Sequence, residues 1–528
     1  MKLAAARTAL LALALLSGTS AQALADVVLM RGNDTDPATL DPHKTSTVAE
    51  SRLLRDLFEG LVTEDATGGI IPGSAASWEI SDDGLTYTFH LREDGKWSNG
   101  DPVTADDFVF AFRRIMNPAT AAGYASVLFP ILNAEAVTKA EAQAEDLGVA
   151  APDPATLVIT LNAPTPYFLQ LLTHQTGLPL HAASVEQFGD AFTKPGNLVS
   201  NGAFTLESFV PNDKIVMRRN PQFHDADQVQ IDEVQWIPFE DRSACLRRFE
   251  AGEVHTCSDV PAEQMKYMQE HLPGALRIAP YLGTYYLPVK VTKPEFADPR
   301  VRQAISMLID RDFIADEVWQ GTMIPAYSLV PPGIDNYVEN PPVLDYADAD
   351  LLDREDAAVA LLQEAGVDPA SLDIQLSYNS SENHRNTMAA ISDMLSNVGI
   401  KSSLNEMEGT GYFNYLREGG DFDIVRAGWI GDYSDPQNFL YLNETGVSFN
   451  YSKWSNEAYD STMRAAAQLT DLDERAKLLA DAEEIYLAEV PTIPILYYSS
   501  RSLVADSVAG FEDNLLNRHA TRWLSLKQ

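Results

Sequence analysis

Between residues 353 and 400 the chain alternates helix-like and strand-like periodicity, and that order limits the folds open to it. DREDAAVALLQEAG (353–366) has helical spacing and stops on a glycine, DIQLSYN (373–379) alternates like a strand, and HRNTMAAISDMLSNVGI (384–400) is helical again before a further strand. Helix, strand, helix, strand implies a parallel or mixed sheet with covered faces. An α/β domain is therefore expected over about 290–495. Helical spacing also runs through VRQAISMLIDRDFIADEVW (301–319).

The earlier half mixes strand patterns, LTYTFHLRE (85–93) and ATLVITLN (155–162), with a helix pattern, DDFVFAFRRIM (106–116). Turn clusters DATGG (65–69), SNGDP (98–102) and APDPAT (151–156) separate them. No internal repeat or low-complexity linker interrupts the chain. With 528 residues, 45% of them apolar, it can bury a large core and form two or three domains.

Lys2 and Arg7, the apolar run TALLALALL (8–16) and the small residues ending at Ala25 have the layout of a cleaved secretory signal, residues 1–25. No cysteine follows for a lipid anchor, and no later stretch approaches the ~20 apolar residues that span a bilayer. The expected product is soluble, without membrane insertion, and periplasmic in a two-membrane bacterium.

Loss of Lys2 and Arg7 takes the formal charge from −38 to −40. Nucleic acid is an unfavourable partner for such a surface, because binding it requires a basic footprint. The acidity fits a well-solvated surface or a preference for cationic ligands, and charge alone does not choose between them.

Cys245 and Cys257 flank LRRFEAGEVHT, a short helix stopped by Gly252 and followed by a short strand. Export permits a bridge. A helix and a strand running antiparallel could bring the two thiols together, and two buried free thiols are the alternative.

No GxSxG, HExxH, CxxC, GxxxxGK or GxGxxG motif occurs, and the nine histidines are scattered. The carboxylate pairs Asp82–Asp83 and Asp106–Asp107 sit in SDDG, which has hairpin chemistry, and in TADD, a helix N-cap with an acidic first turn. Neither reads as an acid–base dyad. No catalytic, metal or cofactor site is expected.

RAGWIGDYSDP (426–436) sets Asp432 beside aromatic residues with no obvious cation nearby. Together with LDPHK (40–44), RDLFEGL (55–61), the long segment 72–114, GNLVSNGAFTL (196–206) and DPRVRQAISMLIDRD (298–312), it resembles the periplasmic oligopeptide-binding proteins of ABC importers, within family 5 of the extracellular solute-binding proteins. The resemblance runs in order over essentially the whole mature chain.

It implies an α/β, periplasmic binding protein-like fold of the cluster C type, with two hinged lobes plus an extra small domain. Lobe I would use 26–58, 184–282 and 499–528, the extra domain 59–183, and lobe II 283–498. The implied product is a monomer that captures short peptides, without a cofactor, and delivers them to a membrane permease and its ATPase. Cell-wall (murein) peptides, dipeptides or a metal chelate are the alternative ligands.

By the same resemblance Asp432 would pair with a peptide ammonium near the Tyr124 hydroxyl, and Trp429 would wall a side-chain pocket. Main-chain pairing would involve Ser46, Thr47 and Val48 on one side and Arg426, Gly428, Ile430 and their neighbours on the other, with Tyr286 also in the cleft. Arg426, His384 and Arg417 fall on positions that serve peptide C-termini or line the cleft. Trp319 stands where some members place a lysine for dipeptides. Gly283 and Ile430 stand where some place a cysteine bridge.

Overall fold

The computed structural model describes residues 26–45, 47–407, 412, 415, 416 and 418–527. Ser46 and Arg417 lie outside the described residues. Among the described residues a nine-stranded sheet forms the backbone of the molecule. Its order runs Ala427–Ile430, Leu276–Pro288, Thr492–Val504, Thr256–Cys257, Val28–Asn33, Glu233–Pro238, Lys214–Arg219 and Phe204–Val210, with Ile324–Pro325 paired to Thr492–Val504 off this path.

Two strands of this sheet, Leu276–Pro288 and Thr492–Val504, are each 13 residues long and pair antiparallel. Their first and last parts belong to different cores. Leu503 packs with Ile237, Phe239 and Met268, whereas Tyr285, Leu287, Ile493 and Ile495 belong to a core that also holds Ile374, Ile391 and Tyr486. The register slips between Pro280 and Thr284, where the strands leave one core for the other. A bulge adds local twist and bend to a ladder, so the crossing is also the point where the sheet is least regular.

The first core gathers Leu29, Leu53, Leu57, Phe204 and Trp236 with Phe89, Phe108 and Phe112 from the region between residues 59 and 183. That region carries its own four-stranded antiparallel sheet, Ala75–Ile80, Thr86–Leu91, Thr156–Thr160 and Val149–Asp153, covered by helix Ala105–Met116. The helix starts as its sequence dictates, the Thr104 N–H donating to Asp107 Oδ2 at 2.8 Å. In SDDG, Asp83 Oδ1 accepts from the Leu85 N–H at 3.1 Å, and Gly84 adopts φ +67° to close the hairpin. Both carboxylate pairs are structural.

The expected alternation appears as a three-stranded sheet, Lys401–Met407, Asp373–Asn379 and Ile424–Val425, all parallel, with helix Glu382–Asn397 packed on it. The helical spacing over 301–319 is realised in two stretches with a break at 308–310. Pro299–Met307 is one, and Arg311–Phe313 running on into Ile314–Val318 is the other. Asp310 starts the second stretch, its Oδ1 accepting from the Phe313 N–H at 3.0 Å, and the fully buried Arg311 donates to the carbonyls of Ser306 at 3.1 Å and Ile309 at 3.2 Å as well as Ala326 and Pro494.

Cys245, on helix Arg242–Glu250, and Cys257 are joined, with Cα atoms 6.1 Å apart. The bridge closes a sequence separation of 12 and lies in the small core under the helix. Replacing both cysteines by alanine is expected to lower stability by about 3 kcal/mol in the chain-entropy view. Urea unfolding of the variant beside the oxidised protein measures it, and an unchanged midpoint would leave the bridge without a stabilising role.

Candidate functional site: a cleft beside an edge strand

Strand Ala427–Ile430 ends the nine-stranded sheet, so one of its sides is paired and the other is free. It pairs antiparallel with Leu276–Pro288, Gly283 opposite Ile430, Thr284 opposite Trp429 and Tyr285 opposite Gly428. The positions named above for a cysteine bridge are thus direct neighbours across the ladder. A free edge offers unpaired N–H and C=O groups to another extended chain. Gly428 keeps this edge close-packed, since a Cβ there would meet the Tyr498 hydroxyl at 2.6 Å.

Arg426 precedes this strand and joins two sheets. Its N–H donates to the Ser377 carbonyl at 2.8 Å, its Nη2 donates to the Tyr498 hydroxyl at 2.7 Å, its Nη1 donates to Asn379 Oδ1 at 3.3 Å, and the guanidinium lies 4.8 Å above the Tyr285 ring. It is 8% exposed and its Nε has no partner. Among the described residues no carboxylate pairs with it.

His384 packs 5.5 Å from Tyr285 and 6.2 Å from Trp319, ring to ring. Burial, then the Arg426 charge, pushes the imidazole down to about 3. It is neutral at physiological pH and offers a hydrogen bond, not the cation that a carboxylate terminus would use. Trp319 donates from Nε1 to Thr387 at 3.1 Å and walls a cavity of about 790 Å³, lined further by Glu317, Glu355, Glu382 and Asp393, with Arg501 as its lining cation among the described residues. Tyr286 is 4% exposed in the core behind the edge strand, so it does not line the cleft.

At the other end of the strand the Gly431 N–H donates to the Leu282 carbonyl at 2.7 Å, and the chain turns out to Asp432. Asp432 lines a cavity of about 140 Å³ with Thr47, Val48, Tyr124, Tyr281 and Ile430. Thr47 caps helix Val48–Leu57 through a reciprocal box with Glu50, which fixes that wall. Asp432 is open to solvent through the cleft, yet enough protein surrounds it that desolvation raises its carboxyl, against a lowering by Arg518. The same carboxylate, after burial, raises the Tyr124 hydroxyl.

Among the described residues the Asp432 carboxylate has no ion pair and no hydrogen bond. Trp429 donates from Nε1 to Asn438 Oδ1 at 2.7 Å and meets Phe449 at 5.1 Å and Tyr441 at 6.1 Å, a part-buried aromatic wall. The structure therefore gathers Thr47, Val48, Tyr124, Ile430 and Asp432 at one end of the strand. It gathers Arg426, His384 and Trp319 at the other. Sequence reasoning did not reach Arg518, His174 and Tyr281, which close the Asp432 cavity from distant segments and carry no motif.

Long strands shared between cores, with cavities at both ends of a free edge strand, give the chain a place to hold a small extended ligand. The sequence model described as bacterial extracellular solute-binding proteins, family 5 Middle, matches residues 69–451, and the chain belongs to this family. It is 36% identical over 488 residues to the periplasmic oligopeptide-binding protein OppA of Escherichia coli K12, covering 92% of this chain and 89% of the relative. The relatives are solute-binding proteins, not enzymes. It superposes on the unliganded open form of MppA, the periplasmic murein tripeptide-binding protein, with a TM-score of 0.89 at 34% identity, covering 95% of this chain and 98% of the other. The Haemophilus influenzae OppA complex with RPPGFSPFR gives 0.72 at 35% identity, covering 95% and 99%.

Proposed function

We propose that this chain is the peptide-capturing component of an ABC importer, exported by cleavage near Ala25 and working as a monomer in the periplasm. No helix among the described residues is long and apolar enough to cross a membrane. Asp432 carries the reading: a carboxylate without a partner, set in a cavity at the end of a free strand edge, suits a peptide ammonium. Ala427–Ile430 offers roughly 13 Å of edge, the reach of about four extended residues.

Lobe I would comprise 26–58, 184–282 and 499–528, the inserted domain 59–183, and lobe II 283–498. The register slip at Pro280–Thr284 would act as the hinge. Closure is supported by the better fit to an unliganded open relative than to a peptide-bound one at nearly equal identity. Ser46 and Arg417 would line the closed cleft, and Arg426 would meet the peptide carboxylate with its free Nε or by exchanging Tyr498.

Cell-wall peptides are a second reading, favoured by the arginines around Asp432, since such ligands carry extra carboxylates. Native mass spectrometry of the protein purified without unfolding, followed by fragmentation of released ligand, tests both. A ladder of mixed short peptides is expected. A single species containing D-residues would move the assignment to cell-wall peptides, and a non-peptide ligand would overturn it.

A further inference from the structure

The cavity beside Asp432 departs from the charge balance of the chain. Acidic residues outnumber Lys and Arg 76 to 38 overall, yet Arg52, Arg55 and Arg518 line this cavity with Asp432 as its acidic wall residue among the described residues. The three side chains are 13%, 16% and 16% exposed. Arg52 is held from behind by Asp34 at 2.9 Å. Arg55 and Arg518 share one carboxylate, Glu64, and the buried Nη2 of Arg55 has no partner.

Two histidines on the same wall register the field. Burial, then Arg518 and Arg55, pushes His174 down to about 3, and burial followed by Arg31, Arg52 and Arg277 does the same to His519. Both are neutral and add no charge. An ammonium entering alone gains Asp432 but meets guanidinium groups at close range. A ligand bringing a carboxylate beside its ammonium satisfies both.

We propose that Arg52 and Arg518 form a carboxylate-accepting subsite that selects ligands whose first residue carries a carboxylate next to its ammonium. This rests on the reading of Asp432 as the ammonium partner. The carboxylate can be the side chain of an N-terminal Asp or Glu, or the α-carboxylate of a first residue joined through its side chain. The paired fork of a guanidinium suits either source.

Calorimetry on the ligand-stripped protein tests it with Glu-Ala-Ala-Ala, Gln-Ala-Ala-Ala, Lys-Ala-Ala-Ala and the γ-linked isomer of the first. Whichever glutamyl peptide binds tighter is expected to exceed the Gln peptide by about tenfold, with the Lys peptide weakest. That comparison also names the source of the carboxylate. Arg52→Gln and Arg518→Gln should each bring the Glu to Gln ratio toward one, and a ratio measured on one protein is insensitive to a general loss of affinity. Equal binding of Glu and Gln peptides, preference for Lys, or a ratio unchanged in both variants overturns the subsite while leaving peptide binding intact. Failure of all four peptides to bind overturns the peptide reading and this inference with it.

Discussion

Asp432→Ala is expected to weaken binding of free-amine peptides by about 3–5 kcal/mol, the loss on removing one partner of a buried charge pair. The carboxylate sits at the end of a free edge strand, without an ion pair among the described residues, so no other group at the site takes over the ammonium. N-acetylated peptides should bind the unmodified protein poorly and should be affected little by the substitution. Titration calorimetry with matched acetylated and free peptides decides it, and equal affinity for both would remove Asp432 from its role.

The same carboxylate sets a pH dependence. Desolvation raises it in the free protein, and an ammonium partner favours the ionised form. Affinity should therefore be full above the raised value and decline as pH falls through it, with proton release on binding in that range.

The second large effect concerns stability. Asp435 and Arg475 have side chains 0% and 1% exposed and pair through two contacts, Oδ1 to Nη2 at 2.7 Å and Oδ2 to Nη1 at 2.8 Å. Asp435 also accepts from Asn336 Nδ2 at 3.1 Å and from the Gln437 N–H at 3.0 Å. Arg475 lies 5.6 Å over Tyr167, whose ring stacks on Tyr433 at 4.8 Å. The pair thus ties helix Leu472–Glu489 to the turn that presents Asp432 and, through Tyr167, to the region between residues 59 and 183.

Asp435→Ala should cost about 3–5 kcal/mol by leaving a guanidinium buried and unpaired. Replacing both partners together, as Asp435→Ala with Arg475→Met, should recover a large part of that loss, because no charge is then stranded. Urea unfolding of the two variants measures this, and equal losses would show that packing rather than the charge sets the cost.

The alternation at 353–400, the helix at 106–116 and its Thr104 cap were legible in the sequence, because periodicity and capping act within one or two turns of chain. The family resemblance of 426–436 likewise singled out Asp432 and implied main-chain pairing along 426–431, where strand Ala427–Ile430 lies. The break in the helix expected over 301–319 was not legible. It falls just before Asp310, which caps the second stretch, and beside the buried Arg311, whose partners reach as far along the chain as Pro494.

Burial decided the rest. His384 stands in a helix start that reads equally well as exposed, and its burial against Tyr285 and Trp319, then the Arg426 charge, lowers its imidazole. Tyr286 adjoins cleft-lining segments in sequence, yet this end of the strand is buried on both faces and Tyr286 packs in the core. The choice between a bridge and two thiols at Cys245 and Cys257 needed the distance between helix and strand. By itself the sequence determined most of the elements and their order, products of local pattern, and through its family resemblance it singled out Asp432. Only the tertiary structure brought Arg52, Arg55 and Arg518 around that carboxylate, because a field in a cavity is the sum over segments that meet only when the chain has folded.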